Sequence, residues 1–350
     1  MVEAAGVMRA VRLTGHGGTE VLEHAQVPIP RPHAGEVLVR VASVALNNTD
    51  VWTRQGAYGL PGDSQALAGW RGPIDFPRIQ GADICGYVES VGSDVAADLV
   101  RRRVLIDPAI YETADDDAHP VGLLGSERDG GYAQYVIAPA DHVYDVVASE
   151  LTDDQLACLP TAYGTALGMI ERGRVSSGET VLVSGASGGV GLALVQIARA
   201  RGARVLAISS GSKLGPVEAA GAHAMIDRAQ SIEDQVRAAA PGGIDAALDV
   251  VAGDLLNQGI SLLREGGRWI VAGALDHYRL EVDVRRLYLH NRQIIGSSMH
   301  TPAHFRALAG LARSAEVHPV VAEMFDLSDA AHAQEALERR EHVGKLILHP

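Results

Sequence analysis

The sequence predicts an α/β protein in two parts: a doubly wound parallel sheet with helices on both faces, and a β-rich domain. Three observations carry this reading. Residues 181 to 191, Val-Leu-Val-Ser-Gly-Ala-Ser-Gly-Gly-Val-Gly, join an apolar β-branched run to a segment, Leu192 to Arg199, of helical composition and spacing. From Thr180 onward strand-like and helix-like segments alternate, as a parallel sheet requires. Before that, short β-branched runs are separated by turns rich in glycine and proline, which suits a compact β-rich domain.

Taken in order, residues 1 to 7 are expected to be a tail, and Met8 to Thr14 alternates like a half-buried strand. A Pro-rich turn, Pro28 to Gly35, precedes the apolar run Glu36 to Leu46. The stretch Leu46 to Gly59 leads into a loop of Gly, Pro and Ser that runs to about Phe76 and is a candidate lid. Ile79 to Gly92, Arg103 to Ile106 and Gly130 to Ile137 read as further strands. Leu151 to Ile170 reads as one helix, with Thr152 as N-cap and Asp153 and Asp154 in its first turn. After the glycine turn come strands at Arg204 to Ser209, Met225 to Ile226, Ala246 to Val250, Arg268 to Ala272 and Gln293 to Gly296, with helices between. Two more helices, Thr301 to Ala312 and Ser328 to Glu338, and a strand at Lys345 follow.

The turn fits a phosphate-binding fingerprint in the register Ala186-Ser187-Gly188-Gly189-Val190-Gly191, with alanine at the first glycine position. Gly188 removes a side chain where backbone must approach a pyrophosphate, and Gly191 lets the helix pack closely on the strand. The unpaired N–H groups and positive dipole end of the helix favour an anion there. A dinucleotide is the expected ligand.

Composition narrows the partners. At 350 residues the chain is long for one core. With 47% hydrophobic and 21% charged residues it reads as soluble and globular. The net charge of −13, with lysine only at Lys213 and Lys345, argues against nucleic acid or an anionic membrane as partner. Cys85 and Cys158 lie in apolar surroundings and are expected as buried free thiols. No stretch of 18 apolar residues and no signal-peptide pattern occurs, so cytoplasmic location is the default expectation.

Leu46-Asn-Asn-Thr-Asp with Arg54-Gln-Gly-Ala-Tyr, Gly130-Gly-Tyr-Ala-Gln-Tyr-Val, Leu159-Pro-Thr-Ala-Tyr-Gly-Thr-Ala-Leu, the 184–191 turn and Gly344-Lys-Leu-Ile-Leu together make a specific pattern. It resembles the medium-chain dehydrogenase/reductase superfamily, and most closely its zinc-independent quinone oxidoreductase branch, related to zeta-crystallin. The resemblance implies a GroES-like catalytic domain, residues 1–152 with 299–350, a Rossmann NADPH-binding domain, residues 153–298, and a homodimer. In the zinc alcohol dehydrogenases of the superfamily, the positions occupied here by Asn47, Ala82 and Thr161 carry a cysteine, a histidine and a cysteine. An amide, a methyl and an unactivated hydroxyl are not a zinc donor set, so no metal is expected.

The second strand of the cofactor domain ends Ile208-Ser-Ser-Gly-Ser-Lys, without the acid that commonly holds a ribose 2′-hydroxyl. Ser209, Ser210, Ser212 and Lys213 suit a 2′-phosphate unopposed by a nearby carboxylate, and NADPH is the expected cofactor. Val250 and Gly273 are placed near it by topology, at the carboxyl ends of their strands. Tyr163, Thr165 and Lys345, the last resembling the family's cofactor-side lysine, complete that set. Asn47, Asp50 and Tyr58 are the candidate catalytic residues: Asn47 to donate to a substrate or carboxamide oxygen, Tyr58 to hydrogen-bond or protonate an enolate. For Asp50 a helix N-terminal carboxylate is an equal alternative, and for Tyr58 a packed loop aromatic. The expected activity is metal-free hydride transfer to a small electrophile, a quinone or α,β-unsaturated carbonyl. The alternatives are a zinc-type alcohol dehydrogenase homologue with unusual ligands and a non-catalytic NADPH-binding protein.

Overall fold

The structure is a computed structural model that describes residues 6–58, 68–314 and 316–350. Its contacts divide the chain into two units: Met1–Thr161 with Thr301–Ala315 and Pro319–Pro350, and Ala162–His300 with Glu316–His318. The expected tail lies almost wholly outside the described residues, and β1 begins at Val7.

In the first unit the strands are β1 (Val7–Leu13), β2 (Leu22–Pro28), β3 (Glu36–Ala45), β4 (Arg78–Ile79), β5 (Asp83–Val91), β6 (Arg103–Ile106), β7 (Ala109–Tyr111), β8 (Pro120–Leu123), β9 (Tyr135–Pro139) and β10 (Val143–Asp145). The chain returns to this unit with β17 (Val321–Asp326) and β18 (Lys345–His349). Its helices are α1 (Asn48–Gln55), α2 (Asp153–Ala157), α9 (Pro302–Ser314) and α10 (Ala330–Arg339), and α3 (Pro160–Arg172) starts in it. Among the described residues the main sheet runs β10-β6-β5-β3-β18-β17, with β9 also on β3. β18 therefore lies inside the sheet, antiparallel to β3 with Ile347 opposite Ala45, and parallel to β17. Val37, Val39, Val44, Ile84, Val104, Ile106, Leu346 and Leu348 fill the core from both ends of the sequence.

The second unit holds β11 (Thr180–Val183), β12 (Arg204–Ser209), β13 (Ala224–Asp227), β14 (Ile244–Asp249), β15 (Leu263–Val271) and β16 (Gln293–Gly296). These form a parallel sheet in the order β13-β12-β11-β14-β15-β16. Between them run α4 (Gly189–Ala200), α5 (Leu214–Ala219), α6 (Ile232–Ala239), α7 (Gly253–Gly259) and α8 (Arg285–Tyr288). The order reverses at β11, so the crevice beyond the carboxyl ends of β11 and β14 is the topological switch point where such sheets take ligands. Leu182, Leu206, Ile208, Ile244 and Trp269 are buried in its core.

The structure departs from the sequence reading in several places. The single helix expected over Leu151 to Ile170 is two, α2 and α3, because Pro160 cannot donate to the preceding turn and instead starts α3. Thr152 does cap α2, accepting the Gln155 N–H at 3.2 Å. The run from Ile79 breaks at Gly81, whose φ of +98° no strand residue adopts, so β5 begins at Asp83. The expected strand over Gly130 to Ile137 is paired as strand only from Tyr135. Strands β2 and β17 were not expected, since exposed polar residues interrupt their apolar pattern. Cys85 and Cys158 are free and buried, as anticipated.

Candidate active site

The glycine turn links β11 to α4 as the motif requires. Gly185 takes φ +55°, and Ala186 N–H donates to Ile208 O at 3.1 Å, tying the turn to β12. A Cβ on Gly191 would lie 2.2 Å from Gly185 O, so close packing of helix on turn demands glycine there. Gly188 differs. A Cβ on it would meet nothing nearer than Gly185 O at 3.6 Å, so the protein's own packing leaves open the space that glycine frees. Gly188 is the N-cap of α4 and has no side chain with which to cap it. The first-turn N–H groups of a twelve-residue helix are therefore left to an anion, and the residues fit a dinucleotide phosphate. Ser187, Gly189 and Val190 are half-buried around this cradle.

The other expected cofactor residues of the second unit lie along the same sheet edge. A Cβ on Gly185 would touch Val250 Cγ2 at 3.0 Å, and one on Gly273 would touch Val250 O at 2.8 Å, so the turn, Val250 and Gly273 are neighbours. Asp249, fully buried, organises this corner. It accepts from Ser184 Oγ at 2.5 Å, Trp269 Nε1 at 2.8 Å and the N–H groups of Val251 and Ala252. Tyr163 and Thr165 stand on α3; the Tyr163 hydroxyl donates to Gln196 Oε1 at 3.1 Å, and Thr165 Oγ1 lies 4.0 Å from Met299 Sδ.

Ser209 ends β12 with its hydroxyl buried and with no hydrogen-bond partner among the described residues, and Ser210 and Lys213 follow it in the chain, both half-buried. One expectation needs correcting here. Asp227 pairs with Ser209 across β12 and β13, and its Oδ2 would lie 3.9 Å from a Cβ on Gly211. A carboxylate does stand beside this segment, supplied by the neighbouring strand, not by β12 itself.

In the first unit the candidate catalytic residues are brought together by α1 and by strands distant in sequence. Asn47 precedes α1, and its N–H donates to Asp50 Oδ2 at 2.8 Å, half of a capping box. Asp50 is 3% exposed, and burial, opposed by the Asn47 N–H and by Lys345, pushes its pKa up to about 6. The Asp50 carbonyl accepts from Gln80 Nε2 at 2.7 Å. From Gln80 a chain of polar groups continues through buried Gln334 at 2.9 Å and Arg54 at 2.7 Å to the exposed Glu338 at 2.9 Å, joining α1 to α10.

Lys345, expected on the cofactor side, places its ammonium between two buried side chains of the first unit. Nζ donates to Asn47 Oδ1 at 2.5 Å and to Asp83 Oδ2 at 3.1 Å, and Asp83 Oδ1 accepts the Thr161 N–H at 2.7 Å. Asp83 is completely buried, and Thr161 Oγ1 is buried with no hydrogen-bond partner among the described residues. Two of the three positions that carry zinc ligands in the superfamily's alcohol dehydrogenases, Asn47 and Thr161, thus surround a lysine–aspartate pair, and the third, Ala82, is a buried methyl. Among the described residues no group of three or more His, Cys, Asp or Glu is placed to hold a metal ion. Sequence reasoning did not connect Asp83 to Lys345.

Tyr58 donates to Thr49 Oγ1 at 3.1 Å and stacks edge-on with Trp52 at 5.7 Å. Burial raises its pKa, which makes it a hydrogen-bond donor and a poorer source of protons. The lid candidate after it falls largely on residues 59–67, outside the described residues. At its far end Trp70 N–H donates to Ser126 Oγ at 2.8 Å, and Arg71 and Gly72 N–H groups to Glu127.

The chain is similar to known proteins along nearly its whole length. Residues 33–148 match the model of the alcohol dehydrogenase GroES-like domain, and residues 189–314 that of the zinc-binding dehydrogenase. The chain is 32% identical to a quinone oxidoreductase of Mus musculus, over 99% of both chains, and 31% identical to that of Homo sapiens over the same shares. Among solved structures, a Sinorhizobium meliloti 1021 protein provisionally named an alcohol dehydrogenase superposes with a TM-score of 0.95 at 41% identity, covering 100% of this chain and 98% of its own. The chain belongs to the medium-chain dehydrogenase/reductase superfamily, in its quinone oxidoreductase branch, and is an oxidoreductase of the class that works with a nicotinamide cofactor.

Proposed function

We propose that the protein is an NADPH-dependent reductase of quinones or α,β-unsaturated carbonyl compounds, acting without a metal and as a homodimer. The observation that carries the reading is the donor set at Asn47, Ala82 and Thr161. An amide already bonded to an ammonium, a methyl and a hydroxyl are not ligands that hold zinc, although the matching family model is described as a zinc-binding dehydrogenase. Without a Lewis acid an unactivated alcohol is a poor partner for hydride transfer. A quinone or enone needs less help, because its reduction yields a delocalised hydroquinone or enolate anion.

When bound, NADPH supplies the hydride; the protein binds its phosphates at the 186–191 turn and supplies polar groups for the acceptor from Asn47, Asp50 and Lys345. The preference for a 2′-phosphate rests on Ser209, Ser210 and Lys213, and Asp227 acts against it. The test is a panel of quinones and enones with NADPH and NADH, run on the parent, Lys213→Glu and Asp227→Asn. We expect oxidation of NADPH by at least one acceptor class, loss of the preference by about tenfold or more in Lys213→Glu, and a gain in Asp227→Asn. An unchanged nucleotide preference in Lys213→Glu sinks the cofactor assignment.

A second reading has support. Relatives include an NAD-dependent alcohol dehydrogenase of Sulfurisphaera tokodaii, 28% identical over 98% of this chain, and Asp227 is the kind of group that holds a ribose hydroxyl. Oxidation of alcohols with NAD, assayed on a separate set of primary and secondary alcohols, would establish it. The homodimer reading draws on the second unit, where β16 is an open sheet edge with Ile294 exposed on it, and Tyr278, Val284, Tyr288 and Leu289, also exposed, precede it in the chain.

A further inference from the structure

Arg228 follows β13 in the second unit, and its backbone is fixed from two sides. The Arg228 N–H donates to Ser209 O at 2.9 Å, which ties it to the last residue of β12. The preceding residue, Asp227, is clamped by Gln235: the Asp227 N–H donates to Gln235 Oε1 at 3.0 Å, and Gln235 Nε2 donates to Asp227 O at 2.9 Å. On the other side of β12 the glycine turn is held by Ala186 N–H on Ile208 O. In the sheet order β13-β12-β11 the end of β12 therefore lies between the phosphate cradle and Arg228. Neighbouring strands are about 4.8 Å apart, so roughly 10 Å separates β11 from β13. A ribose with its 2′-phosphate and an arginine side chain together cover that span.

The polar groups at this edge are unevenly satisfied. The Ser209 hydroxyl is buried with no hydrogen-bond partner among the described residues. Arg228 is exposed, and among the described residues no hydrogen bond, ion pair or ring contact engages its guanidinium. Each of the other arginines of the second unit has such a partner. Asp227 does not supply one, although it is adjacent in the chain: its Oδ1 accepts the Ala229 N–H at 3.0 Å and closes the turn after β13. A guanidinium is a planar fork of N–H donors that matches a phosphate, and a carboxylate beside that phosphate repels it unless a cation offsets the charge.

We propose that Arg228 is the specificity-determining residue for a phosphate on the 2′-oxygen of the adenosine. Its fork binds that phosphate bidentately and offsets Asp227, while the Ser209 hydroxyl and Lys213 complete the site. Lys213 attracts the phosphate as a point charge, and the fork of Arg228 fixes its orientation. The proposal rests on the NADPH reading above and adds to it the residue that decides between the two nucleotides.

The test is calorimetric titration of the full chain with adenosine 2′,5′-bisphosphate and with adenosine 5′-monophosphate, which differ only in the 2′-phosphate. We expect the parent to bind the bisphosphate about tenfold or more tighter than the monophosphate. Arg228→Gln is expected to weaken the bisphosphate about tenfold and to leave the monophosphate within about twofold of the parent. Arg237→Gln, which removes an equal charge from an exposed arginine paired with Glu233, is expected to change neither. A parent that prefers the bisphosphate, with the same preference in Arg228→Gln, overturns the proposal alone and leaves Arg228 a solvated surface residue. Equal weakening of both ligands in Arg228→Gln, or an equal effect of Arg237→Gln on the bisphosphate, also overturns it, since neither depends on a contact to the 2′-phosphate. A parent that binds the two ligands equally overturns the NADPH reading and the proposal with it.

Discussion

At the residue scale Asp50 shows how placement within a helix terminus sets chemistry. Its carboxylate caps α1 through Asn47 N–H, yet burial outweighs that bond and raises its pKa to about 6. The folded state therefore holds a proton that the unfolded chain releases near pH 4, so this group's contribution to stability falls as pH rises from about 4 to about 6. Asp50→Asn keeps an acceptor for the Asn47 N–H and removes the cost of ionisation. Its unfolding free energy, measured by urea titration, should exceed the parent's at pH 7.5 by up to about 3 kcal/mol and converge with it near pH 4. A difference independent of pH would show that the carboxylate does not titrate in this window. Residues at this scale were unevenly legible in the sequence. Asn47, Asp50 and the glycine turn stand in recognisable local patterns. The Lys345 partnership does not, because its partners lie 298 and 262 residues away. Asp227 escaped notice because an acid was sought on the strand that ends at Ser209, whereas it sits on the neighbour.

At the scale of elements, the β11–α4 turn separates two uses of glycine that the motif writes with one letter. Gly191→Ala would force a Cβ to within 2.2 Å of Gly185 O, and a loss of about 1–3 kcal/mol in stability is expected with or without nucleotide. Gly188→Ala meets no atom closer than 3.6 Å, so its stability should stay within about 0.5 kcal/mol of the parent while its affinity for NADPH falls about tenfold or more. Denaturation and fluorescence titration of the two variants check this contrast, and equal affinity in Gly188→Ala and parent would remove the turn from the phosphate site. Buried parallel strands such as β11 and β14 were legible because both faces are apolar. Edge strands β2 and β17 were not, since an exposed edge admits polar residues and loses the periodic signal.

For the whole molecule, the open edge of β16 bears on assembly. Ile294, Tyr288 and Leu289, between 41% and 64% exposed, lie at a sheet edge where, among the described residues, no strand pairs with the outer side of β16. Sedimentation at micromolar concentration is expected to give the parent twice the 36.8 kDa chain mass, and Ile294→Lys with Tyr288→Glu the single mass. A parent that sediments as one chain disposes of the homodimer.

The place of β18 has a consequence for the order of assembly during synthesis. The second unit is built almost entirely from one continuous run of chain, Ala162–His300, and can condense as soon as that run is made. The sheet of the first unit waits for a strand threaded between β3 and β17 that emerges only with Lys345 to His349. Until then the buried carboxylate of Asp83 has no counter-charge, so the step that closes the sheet is the same one that delivers the cation to the site. A chain interrupted before that strand would leave the sheet of the first unit without both its inner strand and the counter-charge of Asp83.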